Sequence, residues 1–211
     1  MSERGRFITF EGIEGGGKSS HIEQVRRQLA AAGLRVRVTR EPGGTAVGEG
    51  IRELLLQGPG MGSDTELLLV FAARAQHVEE VIRPALEAGE WVLCDRFTDA
   101  SYAYQGSGRG LPWSRIAELE AWALGGVQPD ATLLFDLPVA QGLERAGRRS
   151  TPDRFERERH DFFERVRNGY LARAEAEPAR FRVLDAGRPL EVVDRATHDC
   201  IDELLATHHG P

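Results

Sequence analysis

The chain has 211 residues, 41% hydrophobic and 28% charged, enough to close one sizeable core in a single domain spanning 1–211. A formal net charge of −6 excludes a surface built broadly to hold nucleic acid or anionic lipid, so any phosphate site must be local. No apolar run approaches the roughly 20 residues of a membrane span, and residues 1–10 lack the apolar core of a secretory signal; the expected location is cytoplasmic, with no nucleic acid and no membrane as partner.

The first predicted strand, 7–10, runs straight into Gly12-Ile13-Glu14-Gly15-Gly16-Gly17-Lys18-Ser19, which matches GxxxxGK[ST]. A helix is predicted over 19–32, with Ile22, Val25 and Leu29 on one face and Gly33 as its stop. Strand, glycine loop and helix in that order form the context in which this motif wraps phosphate. Glycines let backbone N–H groups turn inward, the helix N-terminus adds partial positive charge, Lys18 reaches the β and γ phosphates, and Ser19 ligates Mg2+. Of 27 basic residues Lys18 is the only lysine, so a chain that otherwise uses arginine places its one compact ammonium here.

A second strand is predicted over 36–39. A long helix over 64–88, opened by Ser63 or Asp64 and rich in Leu and Ala, reads as buried on two sides or as a dimer contact. The strand over 91–94 ends at Cys94-Asp95-Arg96, where Asp95 stands at the end of an apolar run, the place for an acid near the metal, and Arg96 can grip a phosphate. Helices over 112–124, 139–148, 154–177 and 190–206 alternate with strands over 132–135 and 181–184. Short apolar runs alternating with helical periodicity give an α/β class: a five-stranded, mostly parallel sheet covered on both faces. Cys94 and Cys200 lack metal-ligand spacing.

The segment 146–155, AGRRSTPDRF, carries Arg148, Arg149 and Arg154 between two helices and reads as a mobile basic lid. A guanine-reading [NT]KxD tetrad is excluded by the single lysine, which favours a kinase over a GTPase switch. A kinase for another pyrimidine monophosphate and a regulatory P-loop ATPase are the competing readings.

Across nearly its whole length the sequence resembles bacterial thymidylate kinases. The resemblance rests on Phe10-Glu11-Gly12, Thr39-Arg40-Glu41-Pro42-Gly43-Gly44-Thr45, Phe71-Ala72-Ala73-Arg74, Asp95-Arg96-Phe97 with Ser101, Ala103-Tyr104-Gln105-Gly106, Asp153-Arg154-Phe155-Glu156 and Asp185-Ala186. It implies in-line transfer of the γ-phosphoryl group of ATP to dTMP, giving dTDP, in a homodimer using Mg2+ held by Ser19, Asp95 and Glu11. Phe71 would stack on thymine and Arg74 would donate to a base carbonyl. Arg96 would hold the acceptor phosphate with Arg40 near it, Ser101 and Gln105 would line the acceptor pocket, Tyr104 would crowd the sugar, and Glu14 would accept from the 3′-OH. The glycine loop contains no arginine, which points to the class whose catalytic arginine is in the lid, with Arg149 the first choice. Adenine would lie around Asp185, Ala186 and Arg188. Gly16, where alanine is expected, and Ser150-Thr151-Pro152 depart from the family pattern.

Overall fold

Five parallel strands lie in the order β2-β3-β1-β4-β5: β1 (Phe7–Glu11), β2 (Val36–Arg40), β3 (Trp91–Asp95), β4 (Ala131–Asp136) and β5 (Phe181–Asp185). The computed structural model describes residues 4–147, 154–155 and 158–208. Each strand is joined to the next through helices, as parallel pairing requires. Both-face burial is met by β1, β3 and β4 but not at the edges, where Val38 and Val183 stand half exposed. The main core packs Ile8, Phe10, Leu93, Leu133 and Phe135 against α1 (Lys18–Ala31), α8 (His160–Ala176) and α9 (Leu190–His208). Truncating one of these side chains to alanine removes close-packed contacts and costs about 2–5 kcal/mol.

Four elements differ from the sequence expectation. Residues 46–57 form a helix, α2 (Ala46–Gln57), whose N-cap Thr45 accepts from the Gly48 N–H at 2.9 Å. The long helix is α3 (Ser63–His77), a wider π turn (Val78–Ile82) and α4 (Arg83–Glu87). After β3, α5 (Thr98–Ser101) runs into a second π segment (Tyr102–Gly108), ahead of α6 (Trp113–Ala123). Such wide turns gather where side chains must be re-aimed, and the second contributes Tyr104 and Gln105 to the site described next. Finally, after α7 (Val139–Gly147), α8 begins at His160 rather than at Arg154. Arg154 cannot open it, because its backbone N–H and its Nε donate to the Leu56 and Leu55 carbonyls at the end of α2.

Candidate active site

The C-terminal ends of β1 and β3 open into a cleft of about 290 Å³, lined by the glycine loop, by Asp95 and Arg96, and by side chains of α2, α3 and the second π segment. In open parallel sheets ligands gather at this end, outside the carboxyl ends of the strands. The loop's path needs glycine. Gly12 has φ 128° and Gly15 φ 80°, and a Cβ on either would lie 2.4 Å from the Phe135 carbonyl oxygen or 2.1 Å from that of Gly142. At Gly16 a Cβ would sit 3.3 Å from that of Phe135, so glycine there relieves a tight contact.

Lys18 opens α1 and donates to the Gly12 and Ile13 carbonyls at 2.9 and 3.0 Å, inside a loop that can exchange those acceptors for phosphate oxygens. Burial and then the charge of Arg96 depress its ammonium to about 8, against the pull of Asp95, Glu14 and Glu11. Ser19 and Asp95 line the same cleft, and one Asp95 carboxylate oxygen is buried with no hydrogen-bond partner among the described residues. Hard oxygen donors, one of them unsatisfied, suit Mg2+, which takes one or two protein ligands and completes its shell with water and phosphate. No group of three His, Cys, Asp or Glu among the described residues is placed to hold a metal unaided.

Arg96 is the centre of the arrangement and the one non-glycine residue among those described with positive φ, 70°. Its backbone N–H donates to Phe10 O at 3.0 Å, and the following N–H, of Phe97, donates to Glu11 Oε1 at 2.6 Å. Those bonds hold the strained turn and aim the side chain back at the glycine loop. There the guanidinium donates to Gly12 O (3.0 Å), the Tyr170 hydroxyl (2.9 Å) and Glu14 Oε1 (2.7 Å), and lies 4.9 Å from the Tyr104 ring centroid. Burial opposes its charge, but Tyr104, Tyr170 and Glu14 outweigh that and hold it protonated well above its ordinary range. Tyr104 donates to both oxygens of Glu14, so the acid in the loop carries two protein partners.

On the far wall, Arg74 is fully buried on α3 yet lines the cleft. It donates to Glu41 (2.6 Å), Ser101 Oγ (3.0 Å) and Phe97 O (2.9 Å). Glu41 also meets His77 Nδ1 at 2.9 Å, and His77 Nε2 lies 2.6 Å from Thr39 Oγ1. This chain of buried polar groups fixes Arg74. Gln105 lines the same cleft and donates to Glu66 at 2.9 Å.

Other expected site residues are placed as follows. Phe71 does not line the cleft: it packs with Leu67, Tyr102 and Ile116 beneath the Arg74 guanidinium, and Val70, one residue earlier, takes the wall position. Arg40 ends edge strand β2 and is exposed, paired with Glu49 at 2.9 Å; Arg52 on α2, which the sequence reading overlooked, lines the cleft and donates to Pro42 O. Glu11 presents no oxygen to a metal, because it is fully buried with Oε1 on Phe97 N–H and Oε2 on the Tyr170 hydroxyl. Burial and then Asp99 push its carboxyl up to about 8. Asp185 ends β5, and Ala186 and Arg188 lie in the turn after it, outside the cleft lining, with Ala186 O accepting from Arg145. Arg149, like Arg148 and Ser150-Thr151-Pro152, lies outside the described residues, although Ala146 and Phe155 on either side line the cleft.

A family model described as thymidylate kinase matches residues 10–197. A thymidylate kinase of Methylococcus capsulatus is 57% identical over 204 residues, covering 97% of this chain and 98% of its own. One of Pseudomonas syringae pv. tomato is 58% identical over 208 residues, covering 98% and 99%. The crystal structure of thymidylate kinase from Ehrlichia chaffeensis superposes with a TM-score of 0.78 at 32% identity, covering 96% of this chain and 99% of that one.

Proposed function

Because the chain belongs to the thymidylate kinase family and so phosphorylates dTMP to dTDP with ATP, we propose that its cleft holds the two nucleotides phosphate to phosphate, with Arg96 between them. The observation that carries this reading is the position of Arg96, bonded at once to the Gly12 carbonyl of the donor loop and to Glu14, with its side chain on the cleft wall. A guanidinium there can hold the acceptor's phosphate with two parallel hydrogen bonds while staying charged.

The protein's contribution is positioning and charge. The N–H groups of the glycine loop and Lys18 hold the β and γ phosphates of ATP, and Arg96 and Arg52 hold the 5′-phosphate of dTMP in line with them. Glu14, braced by Tyr104, accepts from the deoxyribose 3′-OH. Arg74 donates to a base carbonyl from a wall shared with Ser101 and Gln105. Tyr104 fills the space a ribose 2′-OH would need. Mg2+, held by Ser19 and Asp95 with waters and phosphate, would offset charge on the transferring group. Arg149 in the lid would close over that group, and adenine would lie by the turn at Asp185, Ala186 and Arg188.

Two further expectations belong to this reading. An apolar face at Leu67, Leu68, Leu119 and Trp122, with Leu68 58% and Trp122 83% exposed, suits a homodimer contact across α3 and α6. No helix among the described residues is long and apolar enough to cross a membrane, in keeping with a cytoplasmic single-domain kinase.

The test is ADP release with ATP and Mg2+ in the presence of dTMP, dUMP, UMP, CMP or no acceptor, with the product identified by chromatography. Strong turnover with dTMP and appearance of dTDP are expected. Equal ADP release without an acceptor would overturn the assignment of the acceptor side.

A further inference from the structure

Glu66 is 0% exposed, yet among the described residues it accepts from three side chains beside the cleft. Arg154 reaches it at 2.6 Å, Arg109 at 3.2 Å, and the Gln105 amide nitrogen at 2.9 Å. The two arginines explain why a buried acid is tolerated. The amide contact has a different meaning. A glutamine can present either its NH2 or its oxygen, and the two orientations have nearly the same shape. A carboxylate paired with two guanidiniums can only accept, so it takes the NH2 end and turns Oε1 away. No donor from the described residues reaches Oε1, and Gln105 lines the same cleft as Arg74.

We propose that Glu66 is a positioning residue for base selection: it locks the Gln105 amide with its oxygen towards the acceptor's base, so the wall reads a ring N–H there and a carbonyl at Arg74. This inference rests on the placement of dTMP given above. A thymine-like ring offers N3–H next to O4, the complement of one acceptor and one guanidinium. A cytosine-like ring offers an unprotonated N3 and an amino group, and meets a lone pair at Gln105 and a donor at Arg74. Sites that leave buried polar groups unpaired reject such analogues far more strongly than apolar pockets reject a methylene.

The experiment compares kcat/KM for dTMP and for 5-methyl-dCMP, which keeps sugar, phosphate and methyl and reverses the two edge groups. The full-length wild type is expected to favour dTMP by about 100-fold or more. Glu66→Gln, which can meet Gln105 as donor or acceptor and so frees the amide, is expected to cut that ratio about tenfold or more. Arg154→Ala, which releases the opposite side of the same carboxylate, is expected to change both substrates in parallel and leave the ratio alone. The proposal is overturned if Glu66→Gln lowers both substrates equally, or if Arg154→Ala moves the ratio as much as Glu66→Gln does; in either case the placement of dTMP stands. Gln105→Leu separates the two levels, since an unchanged ratio there means the base does not lie against Gln105 and the placement itself fails. Should Glu66→Gln not fold, the wild type still decides, because comparable use of 5-methyl-dCMP would mean the amide is not fixed.

Discussion

Arg96 Nη2 and Glu14 Oε1 meet at 2.7 Å, so the arginine assigned to the acceptor is tied to an acid within the donor loop. An acid inside a phosphate loop repels the donor, and its presence is accounted for if it serves the other substrate. Glu14→Ala is therefore expected to lower kcat/KM for dTMP by about 100-fold while leaving the dissociation constant for ATP within about threefold. Steady-state kinetics and calorimetric titration of ATP measure the two separately. Unchanged turnover on dTMP would remove Glu14 from the acceptor site.

Arg149→Ala is expected to reduce kcat by about 1000-fold with little change in the KM for dTMP, because a guanidinium that closes on the transferring group acts in the transition state. A rise in KM with kcat preserved would assign it to binding.

Lys18 holds its ammonium at about 8, mainly through burial and the neighbouring Arg96, and ATP requires it charged. Below pH 8 the free protein already carries that proton. Above pH 8 it must take one up on binding, so affinity is expected to weaken by up to about tenfold per pH unit, with proton uptake in the binding heat. ATP titrations at pH 7, 8 and 9 in two buffers of different ionisation enthalpy measure this; flat affinity with no uptake would mean that the loop keeps Lys18 charged throughout.

Glu11 is raised from 4.5 to about 8, chiefly by burial and then by Asp99. Between those values the folded chain keeps a proton that the unfolded chain has lost, so this group makes stability fall as pH rises. Glu11→Gln is expected to flatten Tm against pH over that window. It should also leave the Mg2+ dependence of turnover intact, since both Glu11 oxygens are engaged within the protein. A shifted Mg2+ requirement would return Glu11 to the metal.

Trp122→Glu places a charge on the apolar face of α3 and α6 and is expected to turn a dimer into monomers on light scattering. A wild-type chain that is monomeric at micromolar concentration would rule out the contact.

The strands could be read from the sequence because their apolar runs are short and bounded. In all five, however, the run stops before the strand does: Glu11, Arg40, Asp95, Asp136 and Asp185 are the final strand residues, all charged at the carboxyl edge of the sheet. The glycine loop was legible in full, since each position has its own stereochemical reason. Helix α2, and with it Arg52, was hidden behind the glycine-rich segment before it, though Thr45 followed by Ile51, Leu54 and Leu55 carries a cap and an apolar stripe. Phe71 and Val70 are one residue apart, a rotation of about 100° on a helix, so Val70 meets the cleft while the Phe71 ring packs beneath Arg74. Arg40 and Arg52 could not be told apart from sequence, because which of two arginines turns inward depends on the partner that detains the other, here Glu49. Glu66 gave no signal at all: its importance lies in contacts 39, 43 and 88 residues away.

Strands β1 and β3 are paired neighbours, with Phe10 opposite Asp95, and Arg96 N–H bonds to Phe10 O just before the glycine loop begins. The loop assigned to the donor and the arginine assigned to the acceptor are thus mounted on a single ladder of hydrogen bonds at the middle of the sheet. The gap between reacting atoms is referenced to one datum, as two jaws of a gauge are referenced to one beam. The distance between the donor loop and Arg96 is then set first by the stiffness of two adjacent strands.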